Sequence, residues 1–201
     1  MKKWVVFCMT LLLVFSLLTG CRTSDAKRVV GEWSAKADLA EAYKSLLAAS
    51  DAAVAAHIDL GEFTVRLTLT FASDGTYSLQ VRESDLEEGA QRMEEAIRKG
   101  LASYMQAETG KTMDNLLAAA GMTMDELMAR YFGDDLAQVV RQQLESEGTF
   151  KVSGGKLFLN DQAGNRFFEG KYDVDKETLR LKSGVTSSLV ASLLPLELGR
   201  K

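Results

Sequence analysis

The chain has 201 residues, 46% of them hydrophobic, and carries 24 lysines and arginines against 28 aspartates and glutamates, a formal charge of −4. That acidic balance argues against a nucleic-acid partner, which calls for a concentrated basic face. One histidine and two cysteines leave little material for metal clusters or thiol chemistry, while the length suffices for one domain with a real core.

Lys2 and Lys3 precede an apolar run from Trp4 to Leu18, broken only by Thr10 and Ser16. The run is short for a membrane span, which needs ~20 apolar residues, and a positive start followed by such a run reads as a secretory signal over residues 1–20. It ends in Leu18-Thr19-Gly20-Cys21, which resembles the lipobox of bacterial lipoproteins. The resemblance implies cleavage after Gly20, a thioether-linked diacylglyceryl group and palmitate-type chains on Cys21, and anchoring on the extracytoplasmic side of a cell or outer membrane. Arg22, where an aspartate would stand, offers no inner-membrane retention signal of the enterobacterial kind. Cys8 leaves with the signal, so no thiol remains for a disulfide, a nucleophile or a metal ligand. The same cleavage removes Lys2 and Lys3 and no acid, moving the formal charge from −4 to −6.

Residues 21–28 read as the lipidated tether, because Arg22 to Lys27 is polar and without periodicity. Six flexible residues reach only about 12–15 Å, which holds the folded part close to the membrane surface. The domain follows over 29–201. A first strand is expected near Val29 to Ser34, and a helix from a capping box at Asp38 and Glu41 to about His57. Phe63 to Phe71 alternates strictly, apolar then polar, as a half-buried strand does, and Tyr77, Leu79 and Val81 continue at the same spacing. For Phe71 and Tyr77 to share a face they must pair directly, which leaves Ser73-Asp74-Gly75 as a three-residue loop with Gly75 at the positive-φ position.

Residues 84–147 form a helical block. It opens at a capping box, Ser84 to Glu87, and carries Leu86, Ala90, Met93, Ile97, Leu101 and Tyr104 at steps of three and four. Thr112 and Thr123 begin two further helices eleven residues apart, and Gly133-Asp134 opens a last one with Leu136, Val139, Val140 and Leu144. Beyond it, Phe150 and Val152 oppose Leu159 and Leu157 only if Gly154-Gly155 form a two-residue turn. Asp175 to Thr178 reverses the chain so that Leu179 meets Val174 and Leu181 meets Tyr172. A last strand is expected at Leu193 to Leu198.

These segments amount to eight antiparallel strands, enough to close into a barrel filled by side chains or holding one small ligand. The fold class is therefore mainly antiparallel β with an α insertion, a meander barrel interrupted by a helical block. Gly31-Glu32-Trp33, opening the first strand, is similar to the G-x-W signature of lipocalins, and the segments Thr70 to Tyr77 and Gly148 to Val152 look like hairpins of small lipocalin-like lipoproteins. The resemblance implies a lipocalin-like barrel with Trp33 as the plug of its closed end. It also implies a basic residue over the tryptophan face, a role for which Arg200 is within reach if the last strand pairs with the first. The small apolar ligand usual in that family would be lined by Phe71, Tyr77, Phe150 and Tyr172.

No catalytic constellation stands out. His57 has no second histidine to work with and reads as a helix-end residue. Asp173, Asp175 and Glu177 alternate like the start of a calcium loop but lack its glycine and distant glutamate, and so read as a polar strand running into a turn. Glu87-Glu88, Glu94-Glu95 and Asp134-Asp135 are adjacent on helices and point apart, which suits solvated faces. Six methionines between Met93 and Met128 suit either an irregular core or an adaptable binding surface. The expectation is a binding protein without enzymatic activity, cofactor or metal. It is anchored to the membrane through Cys21 and receives a small hydrophobic ligand or a protein partner, with the helices as lid or contact surface. The competing expectation is a solid barrel acting as an interaction or envelope-structural module through its helices.

Overall fold

The computed structural model describes residues 22–133, 135–185 and 189–201. The expected signal, Cys21 and Asp134 lie outside the described residues. Eight strands run in sequence order around a closed antiparallel barrel: β1 (Gly31–Asp38), β2 (Thr64–Phe71), β3 (Thr76–Val81), β4 (Ser146–Ser153), β5 (Lys156–Asp161), β6 (Arg166–Val174), β7 (Thr178–Val185) and β8 (Leu196–Arg200). The seam is closed by Trp33 opposite Arg200 and Ser34 opposite Gly199. In β2 the apolar residues are buried and the polar ones between them are half-exposed, so the period-2 pattern decides which face points inward.

The registers argued from side-chain faces hold. Phe71 pairs with Tyr77 across a loop in which the Gly75 N–H donates to the Ala72 carbonyl, and Gly75 has φ +90°. Phe150 pairs with Leu159 and Val152 with Leu157 around Gly154 (φ +60°) and Gly155 (φ +71°), a type I′ geometry. Tyr172 pairs with Leu181 and Val174 with Leu179.

These pairings place three tight turns, at 72–75, 154–155 and 175–177, on one end of the barrel. Two of them are held by ionised carboxylates. Asp74 accepts from the Thr76 hydroxyl (2.7 Å) and N–H (2.9 Å), and Asp175 accepts from the N–H groups of Glu177 (2.8 Å) and Thr178 (2.7 Å). Hydrogen bonds from Thr76 hold the Asp74 carboxyl below its ordinary range, and the two backbone N–H groups do the same for Asp175. A carboxylate whose folded value is depressed contributes stability that is complete above its unfolded value and is lost as pH falls through the folded one. Thermal midpoints should therefore hold steady at neutral pH and decline in acid, with a shallower decline in Asp175→Ala.

The same end carries α1 (Arg22–Val29), where the sequence suggested a structureless tether. The helix forms because its last residue has a core site to fill: Val29 is fully buried, and its carbonyl accepts the Trp33 Nε1–H at 2.7 Å. An aperiodic polar segment can be helical when one apolar residue at its end is anchored.

The long connections all leave from the opposite end. Between β1 and β2 come α2 (Ala40–Ser50) and α3 (Ala52–Ala55). Between β3 and β4 come α4 (Glu83–Thr109), α5 (Met113–Ala120), α6 (Met124–Phe132) and α7 (Leu136–Leu144). A 3-10 turn (Leu189–Leu193) precedes β8. Two expected capping boxes are replaced. Asp38 is the last residue of β1, and its Oδ1 ties the N–H groups of Ala40 and Phe63 together, while Leu39 precedes α2. Ser84 already lies within α4, because Asp85 turns back to accept the Arg66 N–H at 3.0 Å. The single helix expected to run to His57 breaks at Asp51, whose carboxylate caps α3. Thr112 and Thr123 do cap their helices, and Thr123 forms a full capping box with Glu126.

Candidate functional site

Of the four side chains expected to line a ligand, two are buried and two half-buried. Phe71 and Tyr77 keep 1% and 4% of their surface. Phe71 meets Phe150 edge to face with centroids 4.8 Å apart, and the Tyr77 hydroxyl bonds the Ser146 hydroxyl at 2.7 Å. Burial raises the Tyr77 hydroxyl above its ordinary value. Phe150 and Tyr172 are half-buried against the same core. Tyr172 lies toward α1, where burial and then the Asp25 charge raise its hydroxyl.

Deeper in, Trp33, Leu67, Leu157, Phe168, Leu179 and Leu198 all have zero accessible surface. A cavity large enough for water would give its lining side chains some accessible surface, so these residues border none. Phe168 lies across the paired glycines Gly170 and Gly184, where a Cβ would approach its ring to 2.4 and 2.6 Å. At the turn end, Gly31 opens β1 and Trp33 stands opposite Arg200 of β8. The Arg200 guanidinium carbon lies 4.6 Å from the Trp33 ring centroid, and its Nη2 donates to the Val30 carbonyl at 2.8 Å.

Two recesses lie at the helical end among the described residues. The larger, about 930 Å³, lies between α2, α7, β4 and the β5–β6 turn, with Gln143, Glu145, Glu147, Asp161 and Gln162 in its walls. Several of its polar groups are already paired. Glu145 accepts the Val81 N–H at 3.1 Å, Asp161 accepts the Asn165 N–H at 2.8 Å, and Gln162 donates to Glu147.

The second recess, about 710 Å³, lies among α2 to α6 and is apolar, with Leu101, Met105, Leu116, Met122 and Leu127 half-buried around it. Tyr131 stands at its edge, 69% exposed. The methionines divide between the two roles open to them: Met93, Met113 and Met128 are buried, while Met105 and Met122 face the groove and Met113 also reaches it. Leu47 and Val54 complete the wall from α2 and α3. They escaped notice in the sequence because they lie in an alanine-rich stretch with a weak periodic signal.

The titratable candidates are occupied structurally. His57 follows α3, with Nδ1 3.2 Å from the Ser103 hydroxyl and its ring edge-on to Tyr104. Glu88, Glu94 and Glu95 pair with Arg92, Arg98 and Lys99 one turn along α4, and Asp135 caps α7. Asp173 pairs with Lys182. Among the described residues no group of three or more metal-ligating side chains comes together, and no helix is long and apolar enough to cross a membrane.

No family model matches the chain, and no curated protein and no solved structure matches it either.

Proposed function

We propose that the protein is a lipid-anchored extracytoplasmic binding protein, lipocalin-like in its barrel, whose ligand is a small apolar molecule held in the groove of the helical insertion. It acts by binding, without a chemical step. The observation that carries this reading is the contrast between the barrel centre, where Trp33, Leu67, Leu157, Phe168, Leu179 and Leu198 have no accessible surface, and a half-open apolar groove of about 710 Å³. Small-molecule sites span roughly 300–1,000 Å³, and flexible thioethers such as Met105 and Met122 let such a wall adapt to its occupant. The lipid-bearing Cys21 would precede α1 directly, so anchoring directs the turn end of the barrel toward the membrane and the helices away from it. Strands of eight residues, tilted as barrels require, separate the two ends by roughly 20 Å.

The test uses the chain from Arg22 to Lys201, which contains the whole barrel and its core, with N-phenyl-1-naphthylamine as fluorescent probe. Enhancement is expected, and Met105→Glu with Leu116→Glu should weaken it by about tenfold or more, because a charge would then face the ligand. Leu69→Ala, inside the barrel, should leave the affinity of the folded fraction unchanged. No enhancement by the unaltered chain, or equal loss from both variants, overturns the groove as the site.

The filled barrel also supports a second reading, an interaction module that contacts a protein through the helices. The exposure of Tyr131 at 69% and Leu46 at 52% favours it. Photocrosslinking from position 131 in cells, together with no probe binding, would select this reading.

A further inference from the structure

At the turn end, α1 is flanked by two clefts. One is bordered by Lys27, Arg28, Lys176 and Arg200, with Asp175 as its single acid. The other is bordered by Ala26, Val30, Phe150 and Val152, with Lys151 at its rim, and Lys27 belongs to both. Four cations against one anion is a local excess of positive charge on a chain whose formal charge is −4. Such a concentration must overcome self-repulsion, and opposite charge from outside relieves it.

The individual groups divide the work. Arg28 donates to the Val174 carbonyl, and Arg200 is held by Val30 and the Trp33 ring, so both guanidinium groups are fixed in place. The Asp175 carboxylate is turned inward onto two backbone N–H groups. Among the described residues, the Lys27 and Lys176 ammonium groups have no hydrogen-bond or ion-pair partner. Next to this basic cleft, across α1, lies an apolar one.

We infer that the paired clefts flanking α1 seat an anionic phospholipid, with its phosphate on Lys27, Lys176 and the two arginines and its glycerol and upper acyl portion against Val30, Phe150 and Val152. A free phosphate would use the first cleft only; the apolar second cleft commits the site to a lipid. The inference rests on the lipid-anchored reading, which brings this end to the membrane. Because the segment after Cys21 is a helix rising 1.5 Å per residue, Lys27 stands only about 8 Å along its axis from Arg22, within the depth of the headgroup layer.

The cleft can be tested without the anchor. The unlipidated chain from Arg22 to Lys201 is sedimented with vesicles of phosphatidylcholine alone or mixed with phosphatidylglycerol. Binding is expected only to the mixed vesicles, weakening with added salt. Lys27→Ala with Lys176→Ala should reduce the affinity about thirty-fold, about five-fold for each charge near the surface. Lys44→Ala with Lys111→Ala, the same charge change at the helical end, should leave it unaltered. Inorganic phosphate should compete for the first cleft, but more weakly than short-chain soluble phosphatidylglycerol at equal ionic strength, because only the lipid also fills the second. Equal binding to both vesicle types, equal loss from the two double variants, or equal competition by phosphate and the short-chain lipid overturns the inference. Anchoring is read separately, from membrane fractionation of the full chain against Cys21→Ser: a soluble unaltered chain would refute the anchor while leaving the vesicle result to judge the cleft.

Discussion

Trp33→Ala is expected to lower the unfolding free energy by about 3–5 kcal/mol, the range for losing a fully buried large aromatic side chain. Trp33 holds three structures together at once. It has no accessible surface, its Nε1–H bonds the last carbonyl of α1, and its ring lies beneath Arg200 of β8. The β1–β8 seam is registered at only two residue pairs, and Trp33 with Arg200 is one of them. Its loss therefore opens a cavity where the barrel closure is shortest. Two companion variants separate the contributions. Trp33→Phe keeps a ring but leaves the Val29 carbonyl unpaired, for about 1–3 kcal/mol, and Arg200→Ala removes the cation for about 0.5–2 kcal/mol. Urea titrations followed by circular dichroism provide all three numbers. A Trp33→Ala chain within 1 kcal/mol of the unaltered one would show that the β1–β8 seam is not cooperative with the rest of the barrel.

The parts of this fold legible in the sequence are those fixed by neighbouring residues. Alternation in Phe63 to Phe71, the glycines at 75, 154 and 155, and the threonines at 112 and 123 each dictate local geometry. Strand order followed from them because hairpins join successive strands. What escaped depended on partners far along the chain. Ser84 satisfies the capping-box pattern, yet Asp85 bonds the backbone of β2, nineteen positions away, and the helix begins two residues earlier, with Arg82 at its N-cap. The α1 helix is fixed by Trp33 and Val174, and the second of these lies 146 positions from Arg28. Lys27 and Lys176 meet only because the barrel brings its last hairpin turn beside its first helix. The groove was half-legible: methionine composition marked the helical block, but its far wall comes from the alanine-rich α2 and α3. Whether the barrel was hollow or filled could not be read from residue types, since the same inward aromatics serve either state. Their packing density decides it.

Gly89→Leu is expected to cost about 3 kcal/mol, and Gly89→Ala to destabilise as well, although alanine improves helix propensity by about 1 kcal/mol. A Cβ at Gly89 would lie 1.9 Å from Cε2 of Phe63, so α4 rests directly on the ring leading into β2. Tyr43 of α2 stacks on the same ring with centroids 6.0 Å apart, so the ring has little room to retreat. The conflict is with one side chain, which makes it reversible. In a Phe63→Leu background, Gly89→Ala should change sign and stabilise by up to about 1 kcal/mol, as expected when only propensity remains. Gly100, three turns along α4, supplies the contrast. Its Cβ would meet the His57 carbonyl at 2.8 Å and Cα of Ile58 at 2.9 Å, backbone atoms that no substitution removes. Gly100→Ala should therefore stay destabilising in any side-chain background at position 58. Absence of the sign reversal at Gly89 would mean that α4 is free to lift off the barrel. The groove bordered by Leu101 and Met105 would then lack the rigid base that the binding reading requires, and probe affinity should fall in step with the displacement of the helix.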